Sequence, residues 1–270
     1  MSQRLFIFGL GYSGLEIARL AQQRGWAVQG SVTTAEKAAR LQAGGIDTLV
    51  FDGTQALDIE PSHVLCTAST LLLPSGIGRP DWLGYLSTTG VYGNRDGGWV
   101  DETMEPTPMQ PRSRERVETE KAWQASATAL GLPLAIFRLP GIYGPGRSPL
   151  DNVRAGNLRR IDKPGQYFSR IHVADIANAV LAAASRRATG IFNVADDEPA
   201  ANADVVAYAC TLLGVPVPPA VPWEQAAPGM TPMARSFYSE SRRVKNDKMK
   251  RELGVTLAYP TYREGLKAVL

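Results

Sequence analysis

LFIFGLGYSGLEIARLAQQRG, residues 5–25, decides the fold of this chain. Leu5 to Phe8 form a short apolar run closed by glycines, which predicts a buried first strand. Gly9, Gly11 and Gly14 follow as G-x-G-x-x-G. Leu15, Ile17, Ala18, Leu20 and Ala21 then fall at helical spacing, and Gly25 is a natural stop. A glycine loop set between a first strand and a first helix has a physical use. Its first glycine permits a tight turn, the second lets a pyrophosphate approach the backbone, and the third allows close helix–strand packing. The amino end of the helix adds N–H groups and a positive dipole end. The stretch predicts dinucleotide binding through Gly9, Gly11, Tyr12, Ser13 and Gly14, with Tyr12 covering the pyrophosphate. A glycine turn that merely packs is the alternative.

Further along, strand-like and helix-like segments alternate: WAVQGSV, AEKAARLQAGG, DTLVFD, HVLCTAS, WLGYLSTTG, a helix over 114–130, and LPLAIFRLPG. That alternation argues a parallel, doubly wound α/β sheet. One connection looks too short. TLLLPSGIGRPD, between the fourth and fifth strands, is rich in Pro and Gly, whereas a parallel crossover needs about 10–12 residues including its helix. Either the crossover is irregular or a segment between Ser69 and Trp82 is absent from the chain as written; the second is the favoured expectation. After residue 145 the pattern loosens. Residues 172–185 read as a helix, IFNVAD as a short strand and ANADVVAYACTLLG as a helix. PVPPAVPWEQAAPGMTP reads as a proline-laden loop, and a last helix runs from an Asn246 cap to Gly254.

The chain has 270 residues, 44% hydrophobic and 20% charged, with a formal charge of only +3. That balance argues against nucleic acid as partner. Cys66 and Cys210 lack CxxC spacing, so neither a structural disulfide nor a metal site is expected, and a reducing, cytoplasmic setting is. The opening apolar run is far shorter than the roughly 20 residues of a membrane span.

An acid about 20 residues beyond the glycine loop would hold the ribose 2′-hydroxyl of NAD. Here the second strand ends GSVTTAEK, with Ser31, Thr33 and Thr34 where the acid would stand and Lys37 nearby. No carboxylate repels a 2′-phosphate, so NADP is favoured over NAD. Asp52, closing the third strand, is a candidate acceptor for the adenine amino group, or simply a turn-initiating Asp before Gly53.

STTGVYG (87–93), VDET (100–103), FRLPGIYGPG (137–146), RIHVADIANAV (170–180) and FNVADDEP (192–199) occur in this order. Together they resemble the extended short-chain dehydrogenase/reductase superfamily of the NAD-dependent epimerase/dehydratase type. The chain looks most similar to a bacterial subgroup carrying GxGYxG and LSTTGVYG. The resemblance implies a Rossmann-type core over 1–146, to which 172–195 return, and a smaller C-terminal substrate lobe over most of 147–270. It also implies a small-molecule substrate, often nucleotide-linked, and a possible homodimer.

The family's chemistry uses a Ser or Thr and then Tyr-x-x-x-Lys. The hydroxyl position falls on Thr88; a strand-end hydroxyl bonded to nearby backbone is the alternative. The Tyr-x-x-x-Lys position falls on Arg112-x-x-x-Arg116, with Glu120 as the glutamate that follows. Guanidinium neither gives nor takes a proton at neutral pH, so Arg112 cannot replace a tyrosine. Arg116 is a candidate for the lysine's hold on ribose. Four residues apart on a helix, the two arginines either fork onto a carboxylate or phosphate of the substrate, or pair with Glu115 and Glu120 on a wet surface. The resemblance places Pro140, Gly141 and Ile142 against the nicotinamide and Arg170 in a substrate-facing strand. Arg235, Arg242, Arg243 and Lys245 add to a basic lobe suited to an anion. Tyr92, Tyr143 and His172 match positions that pack in the family. An oxidoreductase, epimerase or dehydratase with an altered acid/base site is the leading expectation, and a non-catalytic dinucleotide sensor is its rival.

Overall fold

The computed structural model describes residues 3–157 and 159–270. Its first half runs β1 (Arg4–Phe8), α1 (Tyr12–Gln23), β2 (Ala27–Val32), α2 (Ala35–Ala43), β3 (Asp47–Val50), β4 (His63–Cys66) and β5 (Trp82–Thr88). A short 3-10 turn, β6 (Trp99–Val100), α3 (Pro111–Leu130) and β7 (Leu134–Leu139) follow. The remainder holds β8 (Gly141–Tyr143), α4 (Pro149–Arg154), β9 (Ile161–Asp162), β10 (Arg170–His172), α5 (Val173–Arg186), β11 (Gly190–Asn193) and α6 (Asn202–Leu212). It ends with β12 (Val221–Pro222), α7 (Trp223–Ala226), α8 (Pro232–Phe237), β13 (Arg243–Val244), α9 (Asp247–Leu253) and α10 (Tyr262–Ala268).

Seven strands form one parallel sheet in the order β11-β7-β5-β4-β1-β2-β3. The order reverses at β1, so the strand that opens the chain lies inside the sheet, where both faces must be covered. Its side chains alternate accordingly. Leu5 and Ile7 join α1, α5 and α9 in the core on one face, while Phe6 and Phe8 meet Tyr85, Trp123 and Phe51 on the other. Gly14 lets α1 lie close against β1, because a Cβ there would stand 2.5 Å from the Gly9 carbonyl oxygen.

The connection from β4 to β5 is the irregular crossover, which corrects the favoured expectation of an absent segment. Residues 67–81 form no helix, yet β4 and β5 pair directly. Side chains tie this loop down in place of helical hydrogen bonds. Tyr85 Oη donates to the Ser69 carbonyl at 2.5 Å and Trp123 Nε1 to the Leu71 carbonyl at 2.9 Å. Leu71, Leu73 and Ile77 then close over the sheet face that a crossover helix would cover. A second correction concerns the proline-laden loop, which contains β12 and the single-turn helix α7.

Candidate functional site

In a parallel sheet the carboxyl ends of all strands lie along one edge, and ligands bind there. The predicted cofactor residues sit along that edge. Beyond β1 comes the glycine loop, beyond β2 Thr33, beyond β3 Asp52, and beyond β7 Pro140 to Ile142; Thr88 ends β5. Two cavities occupy the edge. One, of about 560 Å³, is lined by Gly9, Thr33, Asp52 and residues 68–74. The other, of about 690 Å³, is lined by Thr88, Arg112, Arg116, Pro140, Gly141, Ile142 and Arg170 among others. Ser69 and Thr70 line both, so one groove runs along the edge.

The glycine loop fits a dinucleotide. Gly11 caps α1 with no side-chain hydrogen bond, which leaves the first-turn N–H groups free of a capping side chain. A Cβ at Gly11 would meet nothing within 4 Å, so the backbone there is open to a close-approaching group. Asp52 serves in a turn, as its Oδ1 accepts from Thr54 N at 2.9 Å and Oγ1 at 2.7 Å, and these bonds hold its carboxyl below the usual range. It also lines the first cavity.

Thr88 Oγ1 accepts from Gly90 N at 3.1 Å, which is the strand-end bond weighed above, while the residue still faces the larger cavity. Beside it lies a hydroxyl that sequence reasoning missed. A Cβ at Gly90 would stand 2.7 Å from Ser113 Oγ and 3.3 Å from Thr88 Oγ1, so both hydroxyls converge on one spot. The only signal for Ser113 was its place next to Arg112.

Among the described residues, neither Arg112 nor Arg116 of α3 is ion-paired with Glu115, Glu120 or any other glutamate of its own helix. Arg112 lies over the Phe237 ring at 4.7 Å, with Nη2 3.5 Å from Ser236 Oγ, so it bridges the amino end of α3 to α8 across the cleft. Arg116 donates to the Leu86 carbonyl and lies over Tyr85 at 5.1 Å, and its buried Nε has no partner. Glu120 is buried instead against Arg138, whose Nη2 lies 2.7 Å away, and it also accepts from Ser87 Oγ.

Arg170 is placed by its strand register, since β10 pairs with β8 and sets Arg170 opposite Gly141. Its Nη1 donates to the carbonyls of Phe168 at 2.8 Å and Ala200 at 3.2 Å. Asp196, the nearby carboxyl, has both oxygens buried without a partner, and burial pushes its pKa up to about 8. The Arg170 charge works against that rise, and Arg170, itself largely buried, lines the large cleft. Of the other basic residues, Arg242 also lines the cleft but is paired with Glu240 at 2.7 Å. Arg243 is held by Gly97 O between Trp99 and Tyr167, Lys245 lies 3.9 Å from Asp101, and Arg235 donates to Ala227 O.

Three further candidates pack. Tyr92 Oη donates to Asn193 Oδ1 at 2.8 Å, and Tyr143 Oη to Thr261 O at 3.4 Å. His172 Nδ1 accepts from Ala174 N at 3.2 Å, its ring lies against Tyr143 and Tyr259, and burial pushes its pKa down to about 4. Among the described residues no group of three His, Cys, Asp or Glu could hold a metal ion, and no helix is long and apolar enough to cross a membrane.

Comparison with known proteins places these features. Residues 78–195 match the model of the NAD dependent epimerase/dehydratase family. A functionally unknown conserved protein from Silicibacter pomeroyi superposes with a TM-score of 0.90 at 44% identity, over 99% of this chain and 98% of its own. A 3-diazoavenalumate denitrifying reductase from Streptomyces is 30% identical over 148 residues, 53% of this chain and 48% of that protein, so the match spans about half of that relative. Protein YeeZ of Escherichia coli is 28% identical over 203 residues, 66% of this chain and 72% of its own. The human epimerase family protein SDR39U1, solved with NADPH, shares the fold at a TM-score of 0.77 and 15% identity, covering 99% of both chains. The middle of the chain, residues 78–195, is thus similar to the NAD dependent epimerase/dehydratase family.

Proposed function

We propose that this protein is an NADP(H)-dependent oxidoreductase acting on a small anionic metabolite. The observation that carries the reading is the larger cavity, where the Thr88 and Ser113 hydroxyls, the loop 140–142 and the charges of Arg112, Arg116 and Arg170 share one wall-to-wall space. A nicotinamide bound along the groove would supply or accept hydride. The preference for NADP is supported by the exposed Thr33 and the lack of any carboxylate at Ser31–Thr34. A Streptomyces relative that bears the name of a reductase favours redox chemistry over epimerisation.

Arg112, in the tyrosine's place, orients an acidic group by forked hydrogen bonds and moves no proton. Thr88 and Ser113 donate hydrogen bonds to the substrate oxygen as charge develops on it. The proton itself comes from solvent or from the substrate.

Calorimetry with NADP(H) and NAD(H), followed by NADPH oxidation against a panel of carboxylated and phosphorylated carbonyl compounds, tests this. Tighter binding of NADPH and turnover of at least one panel member are expected. With that substrate, Ser113→Ala should lower kcat by about 100-fold, the usual cost of one oxyanion donor. Absence of binding by either dinucleotide would overturn the proposal. Binding with no turnover across the panel would favour a dinucleotide sensor, which Arg112 in the tyrosine's place also suits.

A further inference from the structure

Just after β8 the chain reverses through Gly144–Arg147. Gly144 N donates to Arg147 O at 3.1 Å and Arg147 N to Gly144 O at 3.0 Å, so the turn is closed at both ends. It lies flat on the glycine loop. A Cβ at Gly144 would stand 2.6 Å from the Tyr12 hydroxyl and 2.8 Å from Val173 Cγ1, and Tyr12 Oη donates to the Pro145 carbonyl at 3.1 Å. Downstream, Ser148 and Asp151 form a capping box that starts α4 and fixes the other side of the turn.

This rigid turn presents Arg147. Its guanidinium lies over the Tyr12 ring, 5.5 Å from the centroid, and no carboxylate of the described residues is within ion-pair distance. The side chain is exposed and lines the large cleft as well as a neighbouring cavity of about 440 Å³. Beneath it, Tyr12 is the first residue of α1, whose amino end no side chain caps. A helix amino end offers an anion roughly half a positive charge, whereas a diphosphate carries more negative charge than that. A forked cation on the opposite side is the natural complement.

We propose that Arg147 binds the pyrophosphate of the dinucleotide, closing on it from the side facing the amino end of α1, with Tyr12 as the shelf that holds the guanidinium in place. The inference rests on the dinucleotide reading above. It gives the lobe beyond residue 147 a direct hand in holding the cofactor, where the glycine motif assigns that task to the first helix alone.

The test is calorimetry of the full chain with NADPH and with ADP, which keeps the diphosphate and lacks the nicotinamide. Arg147→Ala should weaken both ligands alike, by about tenfold for the loss of a charge-assisted hydrogen bond. Arg147→Lys should recover part of the loss, and the wild type should lose affinity with salt more steeply than Arg147→Ala. Unchanged NADPH and ADP affinities in Arg147→Ala would overturn the proposal. Unchanged NADPH affinity with a raised KM for substrate would overturn it too, and assign the cation to an acidic group of the substrate. Failure of the wild type to bind any dinucleotide would sink the functional reading itself, a result distinct from either of these.

Discussion

Two buried titratable side chains pull the stability of this protein in opposite directions as pH changes. His172 keeps its neutral form in the fold down to about pH 4, against an ordinary value of 6.5. The unfolded chain therefore binds the extra proton first, and stability falls as pH drops from 6.5 towards 4. Asp196 is the reverse case, its pKa raised from 3.8 to about 8 by burial. The folded chain keeps that proton while the unfolded chain releases it, so stability falls as pH rises from 3.8 towards 8. The two windows overlap between about pH 4 and 6.5, where the contributions oppose one another, so the net loss from this pair comes as pH rises from 6.5 towards 8. Asp196→Asn keeps the shape and cannot ionise. Its melting temperature should change less between pH 6 and pH 8 than that of the wild type. An unaltered pH slope in the variant would show that Asp196 is ionised in the fold.

Helix α3 is the element on which sequence and structure diverge most, and its inner face explains why. Glu120 and Arg138 of β7 form a pair with 4% and 3% side-chain exposure, joined by Ser87, while Arg138 also lies over Tyr92 at 4.8 Å. Breaking such a pair by removing one partner costs about 3–5 kcal/mol, whereas replacing both by apolar groups is often neutral. Glu120→Leu should accordingly lower the melting temperature sharply, and Glu120→Leu with Arg138→Met should regain most of it. Equal loss in the double variant would mean that packing, not pairing, holds the helix. From the sequence alone, Glu120 is one more charge in a run of alternating signs, because only the register of α3 on β7 shows which charge is buried. Local signals served better elsewhere. The bounds of the helix between Asn246 and Gly254 and the strand–loop–helix of residues 4–23 rest on neighbours in sequence and stand as expected. The Asn246 side chain, however, donates to Ala195 O and Asp197 rather than capping the helix. The crossover at 67–81 depends on Tyr85 and Trp123, two distant side chains that tie down a loop, and no local pattern announces it. The same holds for Ser113 and Arg147, which meet Thr88 and Tyr12 only in three dimensions.

Across the molecule, the groove from Asp52 to Arg170 is walled in its middle by the helix-free crossover, whose Ser69 and Thr70 border both large cavities. Leu72, 57% exposed, stands on that segment. A ligand filling the groove would restrain this loop, whose residues 68–74 line it. Limited proteolysis near Leu72 should therefore slow when NADPH is added, while cleavage at sites away from the groove should not. Equal protection everywhere would point to a global gain in stability instead. The arrangement of the sheet also sets a timetable for synthesis. Helix α1 is complete by residue 23, yet its packing partner α5 ends at residue 186 and the edge strand β11 at 193. At about 5–20 residues per second, the first helix leaves the ribosome on the order of 10–30 s before the surface it packs against exists. For that interval Ile17, Ala18 and Ala21, fully covered in the finished protein, face solvent or a chaperone. A nascent chain halted near residue 146 would carry this uncovered seam for as long as the halt lasted.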